Sequence, residues 1–132
     1  MTGNGCYELE FEVRDYECDL QGIVNNAVYL NYLEHTRHRQ LKSLGIDFAA
    51  LHERGCDLVV TRSEIDYESP LRSGDRFVVR SRMRRQRRVR FQFEQEIVKL
   101  PGQERVLRAV ITGTGVIDGR IALPPELQQL PG

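Results

Sequence analysis

Hydrophobic and polar residues alternate along the first segment of the chain, from Tyr7 to Arg14. Leu9, Phe11 and Val13 fall on the apolar side, with glutamates between them. A period of two places successive side chains on opposite faces of a strand. The segment is therefore predicted to form a β-strand with one face on the core and the other in water.

A long helix is predicted to begin at the Asn25-Asn26 pair and to end at Gly45. Either asparagine can cap the first turn by accepting a backbone N–H, and Gly45 suits a left-handed C-terminal cap. About 18 residues would span about 27 Å at 1.5 Å per residue, so other elements must cover this helix. Arg37 interrupts a stripe that is otherwise apolar. The apolar positions of the stripe are Leu30, Leu33, Leu41 and Leu44.

The rest of the chain is predicted to consist mainly of strands. Asp47 would cap a short helix from Phe48 to Arg54, and Pro101-Gly102 and Asp118-Gly119 mark turns, the second of the hairpin type. Strands that follow one another after a single helix indicate an α+β fold, with a curved antiparallel sheet around the helix. The predicted strands are residues 58–67, 76–84, 89–100 and 105–117, with a short edge strand at 120–123.

The composition is that of one globular domain, predicted to span residues 1–132. Lys+Arg and Asp+Glu number 19 each, so net charge indicates no class of partner. No stretch approaches the ~20 apolar residues of a membrane span, and no signal peptide is recognised. Cys6, Cys18 and Cys56 are an odd, widely spaced set, typical of reduced thiols rather than disulfides or a zinc site. A reducing compartment is expected, either the cytoplasm or, for a processed plant protein, the plastid stroma.

The helix and the turn before it carry a motif. The run Asp19-Leu20-Gln21-Gly22-Ile23-Val24-Asn25-Asn26-Ala27-Val28-Tyr29-Leu30 resembles the signature of hotdog-fold acyl thioesterases of the 4-hydroxybenzoyl-CoA thioesterase type. The segment Ser69-Pro70-Leu71-Arg72-Ser73-Gly74-Asp75 resembles that family's loop between its second and third strands. The resemblance covers about residues 7–125, and it is greatest to the plant and cyanobacterial branch of acyl-ACP and dihydroxynaphthoyl-CoA thioesterases.

The resemblance implies a hotdog fold and hydrolysis of an acyl-CoA or acyl carrier protein thioester. It also implies a homodimer at least, and a homotetramer of two dimers, because the family's sites lie at dimer interfaces. It implies no metal or redox cofactor. A fatty, a β-ketoacyl and an aromatic acyl group all remain open.

Asp19 is the predicted base or nucleophile, because it occupies the position of the motif's aspartate. A carboxylate there can activate water, or it can attack the thioester carbonyl and form a mixed anhydride. Gly22, which allows close approach of the backbone to a ligand, is assigned to substrate binding. The predicted oxyanion donor is the backbone N–H near Asn26, at the positive end of the helix dipole.

The motif departs from many bacterial relatives, which have His where this chain has Asn26. Asn cannot accept a proton, so a His-assisted mechanism is not expected. The alternative interpretation of Asp19 and of the asparagines is that they only cap the helix. Asp15 and Glu17 are interpreted as solvated acids, with Asp15 as the reserve candidate for catalysis.

Three more residues are assigned to substrate binding: Val24 and Tyr29 of the motif, with Tyr29 as pocket wall, and Arg37 of the helix. Glu34, Arg37 and His38 are spaced i, i+3 and i+4, which also fits a surface ion-pair cluster. No third ligand accompanies His35 and His38, so metal binding is not predicted.

Residues 80–90 contain seven arginines and no acid. Arg80, Arg82 and Arg84 are predicted to share one strand face, where Glu94 and Glu96 are candidate partners. Arg87 and Arg88 are assigned to substrate binding, because guanidinium groups hold phosphates bidentately and both thioester carriers are anionic. Nucleic-acid binding is not expected, since no aromatic residues interleave with these arginines.

Two other functions remain open for this sequence. A hotdog hydroxyacyl-thioester dehydratase would need a His in its site, and the signature contains none before His35. A non-catalytic acyl-thioester binding module would keep the pocket without the chemistry. The presence of Asp19 favours the hydrolase.

Overall fold

The computed structural model describes residues 6–130; residues 1–5 and 131–132 lie outside the described part. A 3₁₀ turn at Asp15–Glu17 precedes the long helix. The elements, in chain order, are β1 (Cys6–Glu12), α1 (Asn26–Ser43), α2 (Phe48–Glu53), β2 (Cys56–Tyr67), β3 (Arg76–Arg87), β4 (Arg90–Lys99), β5 (Glu104–Ile117), β6 (Arg120–Ile121) and α3 (Pro125–Gln128).

The strands form one antiparallel sheet in the order β1-β3-β4-β5-β2, and β6 pairs with the end of β5. The sheet curls around α1, so the predicted α+β fold with one central helix is confirmed. The predicted hairpin at Asp118-Gly119 is confirmed too, since both residues have positive φ, 51° and 82°. That pair of angles is the one a two-residue type I′ turn requires.

Helix α1 packs on the concave face of the sheet, and the predicted stripe is confirmed only for Leu33 and Leu41, which are buried. Leu30 and Leu44 are 43% and 45% exposed, so they do not belong to the buried stripe. The helix is rotated so that its tyrosine rings enter the core, where Tyr32 lies 4.7 Å from the Phe77 ring. The buried residues of α1 are Tyr29, Tyr32, Leu33, Thr36, Gln40 and Leu41.

Polar bonds hold the same helix face against the sheet. Gln40 Nε2 donates to the carbonyl of Ser81 at 3.0 Å, and Gln95 Nε2 donates to the carbonyl of Leu33 at 3.1 Å. Buried amides of this kind must be bonded, because an unpaired polar group in the core is costly. These side chains therefore fix the position of α1 along the sheet.

Several boundaries differ from the sequence-based expectation by one to three residues. The pairing of β3 with β4 continues to Arg87, three residues past the predicted end, because a bulge between Arg85 and Arg87 lets the two strands remain paired. The edge strand β6 ends at Ile121, two residues before its predicted end at Leu123, and Pro125 begins α3. Proline is favoured at the first position of a helix, where its missing N–H is not needed.

Gly113 in β5 is expected to tolerate no side chain. A Cβ at this position would lie 2.6 Å from Phe91 Cζ and 2.7 Å from the Val59 carbonyl oxygen. The variant Gly113→Ala should lower the free energy of unfolding by about 1–3 kcal/mol, as overpacked cores do. Denaturant titration measures this, with Gly102→Ala as the control, since its Cβ would meet only Glu104 Oε1 at 3.4 Å. Equal stability of the two variants would contradict the packing described here.

Candidate active site

The fold brings together the two segments that carry the motif. These are the signature turn, residues 18–24, and the loop of residues 69–75. Ile23 and Arg72 form an antiparallel bridge, and the Val24 N–H donates to the Leu71 carbonyl at 2.9 Å. The Leu71 N–H in turn donates to the Tyr29 hydroxyl at 3.0 Å. The start of α1 and both motif segments thus form one connected unit.

Asp19 lies at the tip of the signature turn. Its N–H donates to the Ile23 carbonyl at 2.9 Å, and Gly22 adopts the positive φ of 80° that closes the turn. One carboxylate oxygen, Oδ1, accepts the Gln21 N–H at 2.8 Å. The side chain is exposed, and its other oxygen has no hydrogen-bond partner within residues 6–130. One oxygen therefore stabilises the turn, while the second faces outward.

The first turn of α1 leaves a free donor close in sequence to Asp19. Asn25 is the cap: its Oδ1 accepts the Ala27 N–H at 3.0 Å, and its carbonyl accepts the Val28 N–H at 2.9 Å. The N–H of Asn26 has no acceptor in the described part of the chain. It lies at the positive end of the dipole of an 18-residue helix. This group can donate to a developing oxyanion.

Glu17 is a structural brace, which corrects the prediction of a merely solvated acid. Its Oε1 accepts the Tyr32 hydroxyl at 2.8 Å and the Arg14 N–H at 2.8 Å, and its carbonyl accepts the Asn25 N–H at 3.1 Å. Burial, and then the hydrogen bond to Glu17, raise the pKa of Tyr32. Glu17 therefore ties the signature turn to α1. Asp15 is exposed, as predicted, but its Oδ1 accepts a hydrogen bond from the Ser73 hydroxyl.

Val24 and Tyr29 lie in the core, whereas Gly22 is exposed at the turn. Val24 is 2% exposed and Tyr29 3%. Burial raises the pKa of Tyr29, whose hydroxyl accepts the Leu71 N–H. Within one chain, both side chains pack in the core beneath the signature turn. Their contact with substrate stays a prediction.

Arg37 is half-buried between α1 and the sheet. Its Nη1 donates to Gln95 Oε1 at 3.1 Å, and its guanidinium lies 5.9 Å from the centre of the Phe93 ring. Burial lowers the pKa of this arginine, and the charge of Glu34 opposes that shift. No ion pair joins Glu34 to Arg37 or His38 within residues 6–130, so the predicted surface cluster is wrong. Arg37 reaches inward to Gln95 instead.

The arginines of residues 80–90 divide into two groups. Arg80 pairs with Glu8 at 2.6 Å and Glu96 at 3.4 Å, and Arg84 with Glu94 at 3.7 Å. The predicted paired strand face is therefore confirmed for these two arginines, while Arg82 makes no ion pair within residues 6–130. The second group lies in the β3–β4 tip, residues 87–90. Arg87, Arg88 and Arg90 make no hydrogen bond or ion pair with any described residue.

The β3–β4 tip is far from Asp19 within one chain. Strand β3 begins at Arg76, beside the loop of residues 69–75, and ends at Arg87. Its length is roughly 36 Å at about 3.3 Å per residue. The fold therefore unites Asp19, Gly22, Val24, Asn26 and Tyr29 at one end of the sheet, and it leaves Arg87 and Arg88 at the other end.

The described residues line hollows on both sides of the sheet, and Asp19 lines neither of the two described next. A hollow of about 510 Å³ lies on the charged outer face and includes Arg80, Arg82 and Glu94. A groove of about 540 Å³ runs between β1 and α1, over Phe11 and Tyr32. No set of three or more His, Cys, Asp and Glu in residues 6–130 is placed to hold a metal ion. No helix in the same range is long and apolar enough to cross a membrane.

Comparison with known proteins identifies the family. The sequence profile of the thioesterase-like superfamily matches residues 13–130. The chain belongs to the thioesterase-like superfamily. The resemblance inferred from the signature is therefore confirmed.

Two curated relatives come from Arabidopsis thaliana. Acyl-acyl carrier protein thioesterase ATL2, chloroplastic, is 47% identical over 112 residues, which are 85% of this chain and 58% of that protein. Acyl-acyl carrier protein thioesterase ATL3, chloroplastic, is 46% identical over 103 residues, which are 78% of this chain and 54% of that protein. The chain thus spans little more than half the length of the curated relatives it matches.

A solved structure confirms the hotdog fold of this superfamily member. Slr0204, a 1,4-dihydroxy-2-naphthoyl-CoA thioesterase from Synechocystis, superposes with a TM-score of 0.87 at 21% identity. The superposition covers 94% of this chain and 93% of that chain. At this level of identity the likeness shows the fold alone.

Sequence reasoning missed the bracing role of Glu17 and the position of Arg72. Both depend on which strands and loops meet, and no periodicity encodes that. One of the Glu17 bonds could have been predicted from the sequence. In a capping box, an acid accepts the N–H of the residue three positions before it, which here is Arg14.

The variant Tyr29→Phe is expected to destabilise the protein by about 1–3 kcal/mol. It removes the acceptor of the Leu71 N–H, and a buried donor that loses its partner carries the full desolvation penalty. Thermal or denaturant unfolding measures the change. Tyr67→Phe is the matched control, because Tyr67 is half-exposed and its hydroxyl makes no hydrogen bond with the described residues. A loss no larger than that of the control would show that the Tyr29 bond is dispensable.

Proposed function

We propose that this protein hydrolyses acyl thioesters and releases a free acid and a thiol. The proposal rests on two exposed groups of the same motif: the Asp19 carboxylate, whose Oδ2 has no partner within residues 6–130, and the Asn26 N–H at the start of α1, which has no acceptor there. Thioester hydrolysis needs these two groups, a base or nucleophile and an oxyanion donor. The names of the two Arabidopsis relatives support the same activity.

Asp19 can act by either of two routes. As a base, it takes a proton from water while the water oxygen bonds to the thioester carbon. As a nucleophile, it bonds to that carbon itself and forms a mixed anhydride, which water then opens. In both routes the carbonyl oxygen gains negative charge, the Asn26 N–H stabilises it, the C–S bond breaks and the thiolate takes up a proton.

The substrate proposed is an acyl group on coenzyme A or on acyl carrier protein. The carrier-protein relatives share 46–47% identity with this chain, so their names favour acyl carrier protein. The acyl group remains open among fatty, β-ketoacyl and aromatic types. Gly22, which has no side chain, would allow the thioester to approach the backbone of the turn. Val24, Tyr29 and Arg37 would form the pocket for the acyl group. No cofactor is part of the proposal.

A second copy of the chain would complete the site in a homodimer, or in a homotetramer of two dimers. Strand β2 is an edge of the sheet, and its Val60 is 51% exposed. Such an edge is a template for pairing with another strand. Antiparallel pairing of two β2 strands would bring the β3–β4 tip of one copy to the signature turn of the other. Arg87 and Arg88 would then meet the anionic carrier.

The compartment proposed is the cytoplasm or the plastid stroma. The names of both Arabidopsis relatives include the word chloroplastic, which supports the second of these for a plant protein. Both compartments hold acyl carrier or coenzyme A thioesters, and both keep thiols reduced.

The variant Asp19→Asn is expected to lower kcat/KM by about 10²-fold or more, because general-base catalysis contributes 10²–10⁴-fold. Asparagine still accepts the Gln21 N–H, so the turn should survive. The assay is release of free thiol from a panel of acyl-CoA and acyl carrier protein thioesters.

Glu53→Gln, an exposed change at the end of α2, is the control for this experiment. Full activity of Asp19→Asn would make the proposed site wrong and would make Asp15 the next candidate. Binding of thioesters without turnover by the unmutated protein would indicate a binding module. Addition of water to an enoyl thioester would indicate the dehydratase.

The variant Val60→Lys should abolish self-association, because a charge on the β2 edge prevents strand pairing. Light scattering should give twice or four times 15.3 kDa for the unmutated protein and 15.3 kDa for the variant. Ile121→Lys, on the exposed β6, is the control. A monomeric unmutated protein would contradict the proposed assembly.

A further inference from the structure

The acidic residues around the signature turn would repel the anionic carrier of the proposed substrate. Residues 8–19 hold six acids. Glu8 pairs with Arg80 and Glu10 with Arg76, but the other four have no ion-pair partner within residues 6–130. Both thioester carriers present a phosphate at the far end of the pantetheine arm, and like charges repel. A substrate that approaches Asp19 therefore needs a cation near this acidic segment.

Arg72 is the cation that the fold places there. Its bridge to Ile23 aligns it with the signature turn, and Ile23 accepts the N–H of Asp19 at 2.9 Å. Ile23 thus pairs with Asp19 on one side and with Arg72 on the other. Directly opposed residues of an antiparallel pair project their side chains on the same face. Arg72 is exposed, so its guanidinium can contact a ligand that approaches Asp19.

Neighbouring charged groups are already engaged, whereas the side chain of Arg72 is not. Arg14 donates to the Tyr16 hydroxyl at 2.8 Å. Asp75, the nearest acid in the loop, accepts the backbone N–H of Arg72 at 2.8 Å and pairs with Lys99 at 3.4 Å. The guanidinium of Arg72 has no hydrogen bond or ion pair within residues 6–130.

We infer that Arg72 binds the phosphate of the pantetheine arm and so positions the thioester against Asp19. The inference rests on the proposed function and names a substrate-binding residue for the same site. Guanidinium holds phosphate through charge-assisted, bidentate bonds. The 4′-phosphate is common to coenzyme A and to the prosthetic group of carrier proteins, so one residue serves both carriers. Arg72 belongs to the same chain as Asp19, whereas Arg87 and Arg88 could reach that turn only from a second copy.

The test compares two substrates that differ by one phosphate: an acyl-pantetheine and the same acyl-4′-phosphopantetheine. The unmutated protein should have a kcat/KM at least tenfold higher for the phosphorylated substrate, mainly through KM. Arg72→Gln should lower that preference by about 10- to 100-fold, the range for a lost bond to a charged group. Arg72→Lys should recover part of it. Acyl-CoA and acyl carrier protein, run in parallel, identify which carrier uses the contact.

Arg120→Gln is the matched control, since Arg120 is an exposed arginine of β6 that also makes no hydrogen bond or ion pair within residues 6–130. Its preference for the phosphorylated substrate should equal that of the unmutated protein. Thermal unfolding checks that Arg72→Gln remains folded. An unchanged preference in Arg72→Gln overturns the inference. Loss of the preference only in the double variant Arg87→Gln/Arg88→Gln would also overturn the inference. That result would place the phosphate at the β3–β4 tip of a partner copy.

Failure of the proposed function gives a different result, because no thioester would then be cleaved by any variant. In that case calorimetry with 4′-phosphopantetheine decides the inference separately. Arg72→Gln should bind this ligand about tenfold or more weakly than the unmutated protein does. Equal affinity of the two proteins would overturn the role of Arg72.

Discussion

The candidate site depends on the two hydrogen bonds of Leu71. Its carbonyl accepts the Val24 N–H, and its N–H donates to the buried hydroxyl of Tyr29. These bonds join the signature turn, the start of α1 and the loop of residues 69–75. Because buried backbone groups must be paired, this junction has few alternative arrangements. The junction holds the turn that carries Asp19 against the first turn of α1, where the N–H of Asn26 has no intrahelical acceptor.

The acids around the site differ in their partners and in their exposure. Glu17 is half-buried, and its Oε1 accepts the Tyr32 hydroxyl and the Arg14 N–H, so it stabilises the fold. Asp19 uses one oxygen for its own turn and leaves the other outward. The same acidity makes a nearby cation necessary for an anionic carrier, and Arg72 is positioned to supply it.

Sequence patterns predicted most of the fold, and their errors have physical causes. The alternation from Tyr7 to Arg14 and the cap at Asn25 reflect local forces, so β1 and α1 appeared near their expected bounds. The buried stripe of α1 was predicted in part: Leu33 and Leu41 are buried, but Leu30 and Leu44 are exposed. Tyr29 and Tyr32 are buried instead, because they gain ring packing and hydroxyl partners. The orientation of α1 about its axis is therefore the one that buries the two tyrosine rings and gives their hydroxyl groups hydrogen-bond partners.

By itself, the sequence determined the α+β class, the capped helix and the motif that contains Asp19 and Asn26. These features depend on neighbours within about ten residues, whose spacing is visible in the chain. Only the tertiary structure decided that Arg72 lies beside the signature turn and that Arg87 and Arg88 lie at the opposite end of the sheet. The register of strands distant in sequence sets those positions, and that register results from packing the whole sheet around α1.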